Sequence, residues 1–333
     1  MNRLAAALLT IAVGACGDTQ APIGPSASAP TTSAPDASGC ARTSIGAQPL
    51  MDLRDRYKGE AGGLYAGGSN TLPGGHLSAG LSLARAIAPL DASGRSSASG
   101  RYAFVSIGMS NTTQEFSTFK SLEDGDPAKH PQLTIVDGAQ GGVTASDWAV
   151  PSCPCWSIVD ERLAGAGVTP TQVVAAWVKL ANANPTEPFP IHADILSAQI
   201  IAVLQILKAR MPNVRLAYLS SRIYAGYATT ALNPEPYAYE SGFAVRNVIA
   251  AQIGGDPRLN FDIARGSVRA PWLAWGPYLW ADGLRPRSDG LTWACGELGP
   301  DGTHPSDAGR RKVADMLISF VKSDATASTW FGR

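Results

Sequence analysis

Charge is scarce in this chain. Only 16% of its 333 residues are Asp, Glu, Lys or Arg, and 27 basic side chains meet 27 acidic ones for a formal net charge of zero. Neither a basic stripe nor an acidic tail is visible, so the electrostatic footprint of a nucleic-acid binder is missing. Past the N-terminus no apolar run reads as long enough to span a bilayer, which takes about 20 residues. Histidine occurs only four times, and no second cysteine cluster or His pair offers a zinc ligand set. No internal repeat is apparent. What is present is apolar: 45% of residues are hydrophobic, ample for one large core.

The first residues read as a targeting segment rather than as fold. Arg3 supplies a positive charge, Leu4 to Val13 form a short apolar core, and Val13-Gly14-Ala15-Cys16 resembles the bacterial lipobox. The expectation is a lipoprotein signal peptide at 1–15, acylation of Cys16, and export to the cell envelope on a lipid anchor. Residues 16–41 are Ala, Pro, Ser, Thr and Gly with few large apolar side chains. Such a stretch cannot offset its ordering entropy by burial and reads as a flexible tether. A single domain is expected over 42–333.

Within that domain strands and helices alternate. Strands are expected at 102–107, 133–136, 172–178 and 214–219, and helices at 77–87, 112–120, 157–164, 193–210, 237–253 and 307–322. Ile195, Leu196, Ile200, Val203, Leu204 and Leu207 recur at the helical period, and Pro212 ends that run. Alternation of this kind predicts a parallel sheet with helices on both faces.

The stretch richest in chemistry is Asp301-Gly302-Thr303-His304. An Asp three residues before a His, with Gly between, can fold into one turn in which the carboxylate accepts from one imidazole nitrogen and the other faces a cleft. Upstream, the apolar strand Tyr102–Ile107 runs into Gly108-Met109-Ser110-Asn111. Gly permits a sharp strand-to-helix turn, with Thr112 or Thr113 as the expected cap. A hydroxyl on Ser110 would then stand at the carboxyl edge of the sheet, where open α/β folds place ligands.

These residues resemble the SGNH (GDSL-like) serine hydrolases, esterases and lipases on a flavodoxin-like, three-layer α/β/α fold. Gly108-Met109-Ser110 is similar to the family's Gly-Asp-Ser block, and Asp301-Gly302-Thr303-His304 to its Asp-x-x-His block. Val136-Asp137-Gly138-Ala139-Gln140-Gly141-Gly142-Val143-Thr144 resembles the block whose glycine amide binds the oxyanion, with Gly142 in that position. The resemblance covers roughly residues 100–322 and implies Ser110 as nucleophile, His304 as base and Asp301 as its orienter. It implies hydrolysis of a small-molecule or polysaccharide ester without a cofactor or metal. Two positions depart from the pattern: Met109 replaces Asp, and the Gly-x-Asn-Asp block has no clean match. Lys179 or Asn182, after the strand ending at Val178, is the candidate for the third oxyanion donor.

Two further segments read as substrate-side. Arg222 and Tyr224 leave the strand ending near Leu219 toward the same edge as Ser110. Arg222 would fork onto a substrate acceptor or pair with Glu235 or Glu240. Trp272, Trp275 and Trp280 crowd the stretch 271–283, where they would stack on sugar or aryl rings or pack a long loop. If they stack while the catalytic set is idle, the protein is a glycan-binding envelope module. A metal-dependent phosphoesterase using Asp301, His304 and Asp137 is a weaker alternative. In an exported chain Cys40, Cys153, Cys155 and Cys295 suit disulfides. Cys153 and Cys155 are close for a mutual bridge, so Cys295 is expected to pair with one of them. Neither the ester nor the oligomeric state is named by the pattern.

Overall fold

A computed structural model of the chain describes residues 39–332. The expected signal segment, Cys16 and residues 17–38 of the expected tether lie outside the described residues. Five strands form one sheet: β1 (Tyr102–Gly108), β2 (Leu133–Asp137), β3 (Val173–Lys179), β4 (Leu216–Ser220) and β5 (Trp272–Trp275). Their spatial order is β2-β1-β3-β4-β5, and every pairing is parallel. That is the flavodoxin-like order, whose switch point falls between β1 and β3. Every residue of β1, β3, β4 and β5 is buried, as strands covered on both faces must be.

Among the described residues eight α-helices accompany the sheet: α1 (Gly74–Arg85), α2 (Ser110–Asp124), α3 (Ala145–Trp148), α4 (Pro154–Gly165), α5 (Ile191–Arg210), α6 (Tyr237–Ile253), α7 (Asp307–Ser323) and α8 (Ser328–Phe331). The β1–β2 crossover runs toward one sheet edge and the later crossovers toward the other. Right-handed connections therefore put α2 on one face and α4, α5 and α6 on the opposite one. α2 packs on α7, and α5 on α6 and α3, in keeping with that division.

Three expectations need correction. At 20 residues and mean hydropathy 1.4, α5 does have the length and composition of a membrane-crossing helix. It serves here as a core helix, burying Leu196, Ile200, Val203, Leu204 and Leu207. The Trp-rich stretch, expected as a loop, supplies the fifth strand, with Trp272 opposite Leu216 and Trp275 opposite Leu219. Its four residues between Pro271 and Gly276-Pro277 are too short a run to announce a strand by periodicity.

The disulfides also differ. Cys295 is bonded to Cys40, with Cα atoms 5.5 Å apart, and Cys153 to Cys155, with Cα atoms 5.2 Å apart. The segment after Cys40 runs along the 224–284 region, where Arg42 O accepts from Tyr224 and Thr43 O from the Leu284 amide. That path delivers Cys40 to Cys295. The turn that opens α4 at Pro154 brings its two flanking cysteines together, and Cys153 Sγ accepts from the Cys155 amide.

Candidate active site

At the carboxyl edge, β1 meets β3 very closely. A methyl on Gly108 would stand 2.3 Å from Lys179 O and 2.4 Å from Thr112 Oγ1, so no larger residue fits. Met109 is extended, and α2 starts at Ser110 itself. Ser110 therefore occupies the first helical position, and neither Thr112 nor Thr113 is the cap. Thr112 Oγ1 donates to Lys179 O at 2.8 Å, and the Thr113 hydroxyl donates to Asp137. The first amides of α2 have no intrahelical acceptor and set positive partial charge beside Ser110.

The 301–304 turn reaches this helix end from the far end of the chain. Ser110 Oγ lies 2.7 Å from His304 Nε2, and His304 Nδ1 lies 2.5 Å from Asp301 Oδ2. With Nδ1–H donating to the carboxylate, Nε2 is left to accept the Ser110 proton. Asp301 Oδ1 accepts the amides of Thr303 and His304, both at 3.0 Å. Burial pushes the Asp301 pKa up, but those amides and the ring donor outweigh it and hold it below the ordinary carboxylate value. The turn closes through Gly302 at φ +62, where an added Cβ would lie 1.9 Å from Tyr227 O.

A cavity of about 260 Å³ opens onto this chain of hydrogen bonds, lined by Ser110, His304, Gly142, Asn182 and Arg222 among others. Larger concavities of about 700 and 650 Å³, both lined by Phe261 and Arg265, include none of the expected site residues in their lining. Gly141 lies beside the serine, since a methyl on it would be 3.9 Å from Ser110 Cβ. The amides of Gly141 and Gly142 donate to no group among the described residues. That loop is held from behind: the Gln140 amide donates to Gly108 O at 3.0 Å, and Gln140 Nε2 donates to Cys155 O at 2.8 Å.

Lys179 is not at the oxyanion position. Its side chain is fully buried and its Nζ bonds both carboxylate oxygens of Glu115, at 2.6 and 2.5 Å. Burial pushes the Glu115 pKa up, opposed by Lys179 and Arg222. Burial likewise pushes Lys179 down, opposed by Glu115 and assisted by Arg222. Both directions point the same way, toward the neutral forms, because water is excluded. Asn182 does reach the cavity, but its Nδ2 donates to Gln199 Oε1 at 2.7 Å.

The aromatic residues expected to touch substrate are core. Trp272, Trp280 and Tyr224 are fully buried and Trp275 is 5% exposed, and none lines the cavity. Trp272 stacks on His76 and donates to His76 O, while Trp275 donates to Leu64 O. Trp280 donates to Glu235 Oε1 at 2.8 Å, and Tyr224 donates to Arg42 O at 2.7 Å. Each indole or phenol finds the partner that a buried polar handle requires, which a sequence read one residue at a time cannot supply. Arg222 lines the cavity, but it pairs with neither Glu235 nor Glu240. Glu240 holds Lys58 at 2.9 Å, and Glu235 accepts the Ala225 and Tyr239 amides besides Trp280. Asp137 is taken up by the hydroxyls of Ser106, Thr113 and Ser117 and does not join Asp301 and His304.

Asn111 was not singled out from the sequence. It is buried, lines the cavity, and donates through Nδ2 to Thr303 O at 2.9 Å. It therefore ties the start of α2 to the 301–304 turn. Its only signal is adjacency to Ser110.

No protein-family model matches the chain, and no curated protein matches it. Among solved structures, a Bacteroides fragilis protein provisionally assigned as an acylhydrolase aligns at TM-score 0.41 and 12% identity, over 78% of this chain and 100% of its own. A salicylyl-acyltransferase from a tetracycline biosynthetic pathway aligns at 0.38 and 14%, over 71% of this chain and 58% of its own. An extracellular lipase from Streptomyces rimosus aligns at 0.34 and 12%, over 66% and 99%. At such scores and identities these likenesses carry nothing about the activity of this chain.

Proposed function

We propose that the chain is a serine ester hydrolase of the SGNH type. The observation that carries this reading is the continuous chain from Ser110 Oγ through His304 to Asp301, at 2.7 and 2.5 Å, opening onto a small cavity at the sheet's carboxyl edge. Ser110 attacks the ester carbonyl while His304 Nε2 takes its proton. Asp301 fixes the tautomer and stabilises the imidazolium. The oxyanion is met by the amides of Ser110 and Gly142, with the α2 dipole behind them. His304 then protonates the departing alkoxide, and water repeats the cycle on the acyl-enzyme. The chemistry asks for no cofactor.

The small cavity favours a short acyl group or a compact alcohol over a long chain. We further propose export and acylation of Cys16, which would tether the hydrolase to the envelope. The glycan-binding alternative required exposed indoles at 272, 275 and 280, and their burial withdraws its support. Hydrolysis of p-nitrophenyl acetate in the presence of EDTA tests the reading. Ser110→Ala should lose at least about a thousandfold in kcat, since triad members act as a unit. Equal turnover in the variant would remove Ser110 as nucleophile, and loss of wild-type turnover in EDTA would favour a metal.

A further inference from the structure

Arg222 is the one charged residue among the largest fully buried side chains, and little holds it. A guanidinium carries five N–H donors. Here Nη2 donates to Thr303 O at 3.3 Å, and Nε is buried with no acceptor among the described residues. The carboxylates that balance its charge through space are Glu115, Glu235 and Asp301. Each is already committed elsewhere: Glu115 to Lys179, Glu235 to two amides and Trp280, Asp301 to His304 and two amides. Arg222 makes no ion pair among the described residues.

A clamp on Thr303 O does not account for a buried cation at this position. Asn111 Nδ2 already holds that carbonyl at 2.9 Å, the shorter of the two bonds. A buried guanidinium without a bonded anion is an expensive arrangement unless something completes it. It also lines the same cavity as Ser110 and His304, and no acidic side chain lines that cavity. A carboxylate entering there meets Arg222 and no like charge on the wall.

We propose that Arg222 recognises a carboxylate on the substrate, so that the ester cleaved at Ser110 is an anionic one, carrying its carboxylate on the acyl or the alcohol side. This rests on the serine-esterase reading. The fork of the guanidinium matches a carboxylate in two parallel bonds, which would fix how the ester lies against Ser110. With a volume of about 260 Å³ the cavity suits a small acid rather than a fatty acyl chain.

The test compares two pairs of esters on the full chain. For the acyl side, p-nitrophenyl hemisuccinate is set against its methyl ester. For the alcohol side, O-acetyl-lactate is set against methyl O-acetyl-lactate. In one pair the acid should exceed its neutral partner in kcat/KM by roughly ten- to hundredfold, the range of a charge-assisted hydrogen bond, and the pair that responds identifies the side. Arg222→Gln should bring that ratio near one, and Arg222→Lys should restore part of it. Calorimetric titration with succinate and succinamide gives a readout independent of turnover: the wild type and Ser110→Ala should bind succinate only, and Arg222→Gln neither. Should Arg222→Gln fail to fold, the wild-type ratios and the succinate titration decide alone. Ratios near one with no succinate binding, or a preference retained in folded Arg222→Gln, overturn the proposal while leaving the esterase intact. Succinate binding that depends on Arg222, with no ester hydrolysed, would instead overturn the esterase and leave the carboxylate site.

Discussion

Replacing Lys179 with Met separates two roles for a buried lysine near Ser110. As an oxyanion donor its loss should cost about a hundred- to a thousandfold in kcat with little effect on stability. As the partner of Glu115, its loss strands a carboxylate. Both side chains are fully buried and joined through both carboxylate oxygens. Breaking such a pair from one side costs about 3–5 kcal/mol. The double variant Lys179→Met, Glu115→Leu should recover most of that, because the pair's attraction and its desolvation leave together.

The pH dependence has a definite sign. Burial raises the Glu115 pKa above its unfolded value, and removing Lys179 takes away the main opposing charge. A group with a raised folded pKa favours the fold below its unfolded pKa and loses that contribution as pH rises through the folded one. The deficit of Lys179→Met should therefore be smaller near pH 4 than at pH 7. Urea unfolding at both values reads it, with p-nitrophenyl acetate kinetics per folded molecule alongside. The reasoning fails if Lys179→Met keeps wild-type stability while kcat drops a hundredfold, or if the double variant is no more stable than the single one.

Gly302→Ala should lose more than about 1 kcal/mol and most turnover, because its φ is +62 and the new Cβ would lie 1.9 Å from Tyr227 O; a fully active, stable variant would show that the turn closes another way. Cys40→Ser opens a bridge spanning 255 positions and should lower stability by at most about 5 kcal/mol, read by calorimetry. Non-reduced peptide mapping should recover Cys40 joined to Cys295, and a Cys295–Cys153 peptide would contradict the fold around the 301–304 turn. Asp301 has a pKa held low in the folded state, so its stabilising contribution is present above the ordinary carboxylate range and fades as pH falls through the folded value. The stability gap between Asp301→Asn and wild type should accordingly close in acid.

Some of this protein was open to reading along the chain. The strand–helix alternation is written in short-range periodicity, and β1, β3, α5 and α6 fall close to where those patterns put them. Asp301 and His304 are three residues apart around a glycine, so their mutual geometry is a property of one turn and needs little from the rest of the molecule. Gly108 before Ser110 is legible for a similar reason, since a strand that must turn at once into a helix leaves room for little else.

Other features depended on what arrives from far away. Lys179 is a polar residue at a strand end, which by itself reads as loop or as site; α2, packed on β1 and β2, brings Glu115 onto it and makes it core. The indoles at 272, 275 and 280 advertise a binding surface until β5 joins the edge of the sheet and their N–H groups find His76, Leu64 and Glu235. Cys295 finds Cys40 because the first described segment runs along the 224–284 region. Local sequence determines which backbone an element adopts and which residues share a turn, because those energies act over a few residues. Burial, ion pairing and bridge partners are settled by desolvation and contact between segments tens to hundreds of residues apart, and only the assembled tertiary structure brings those segments together.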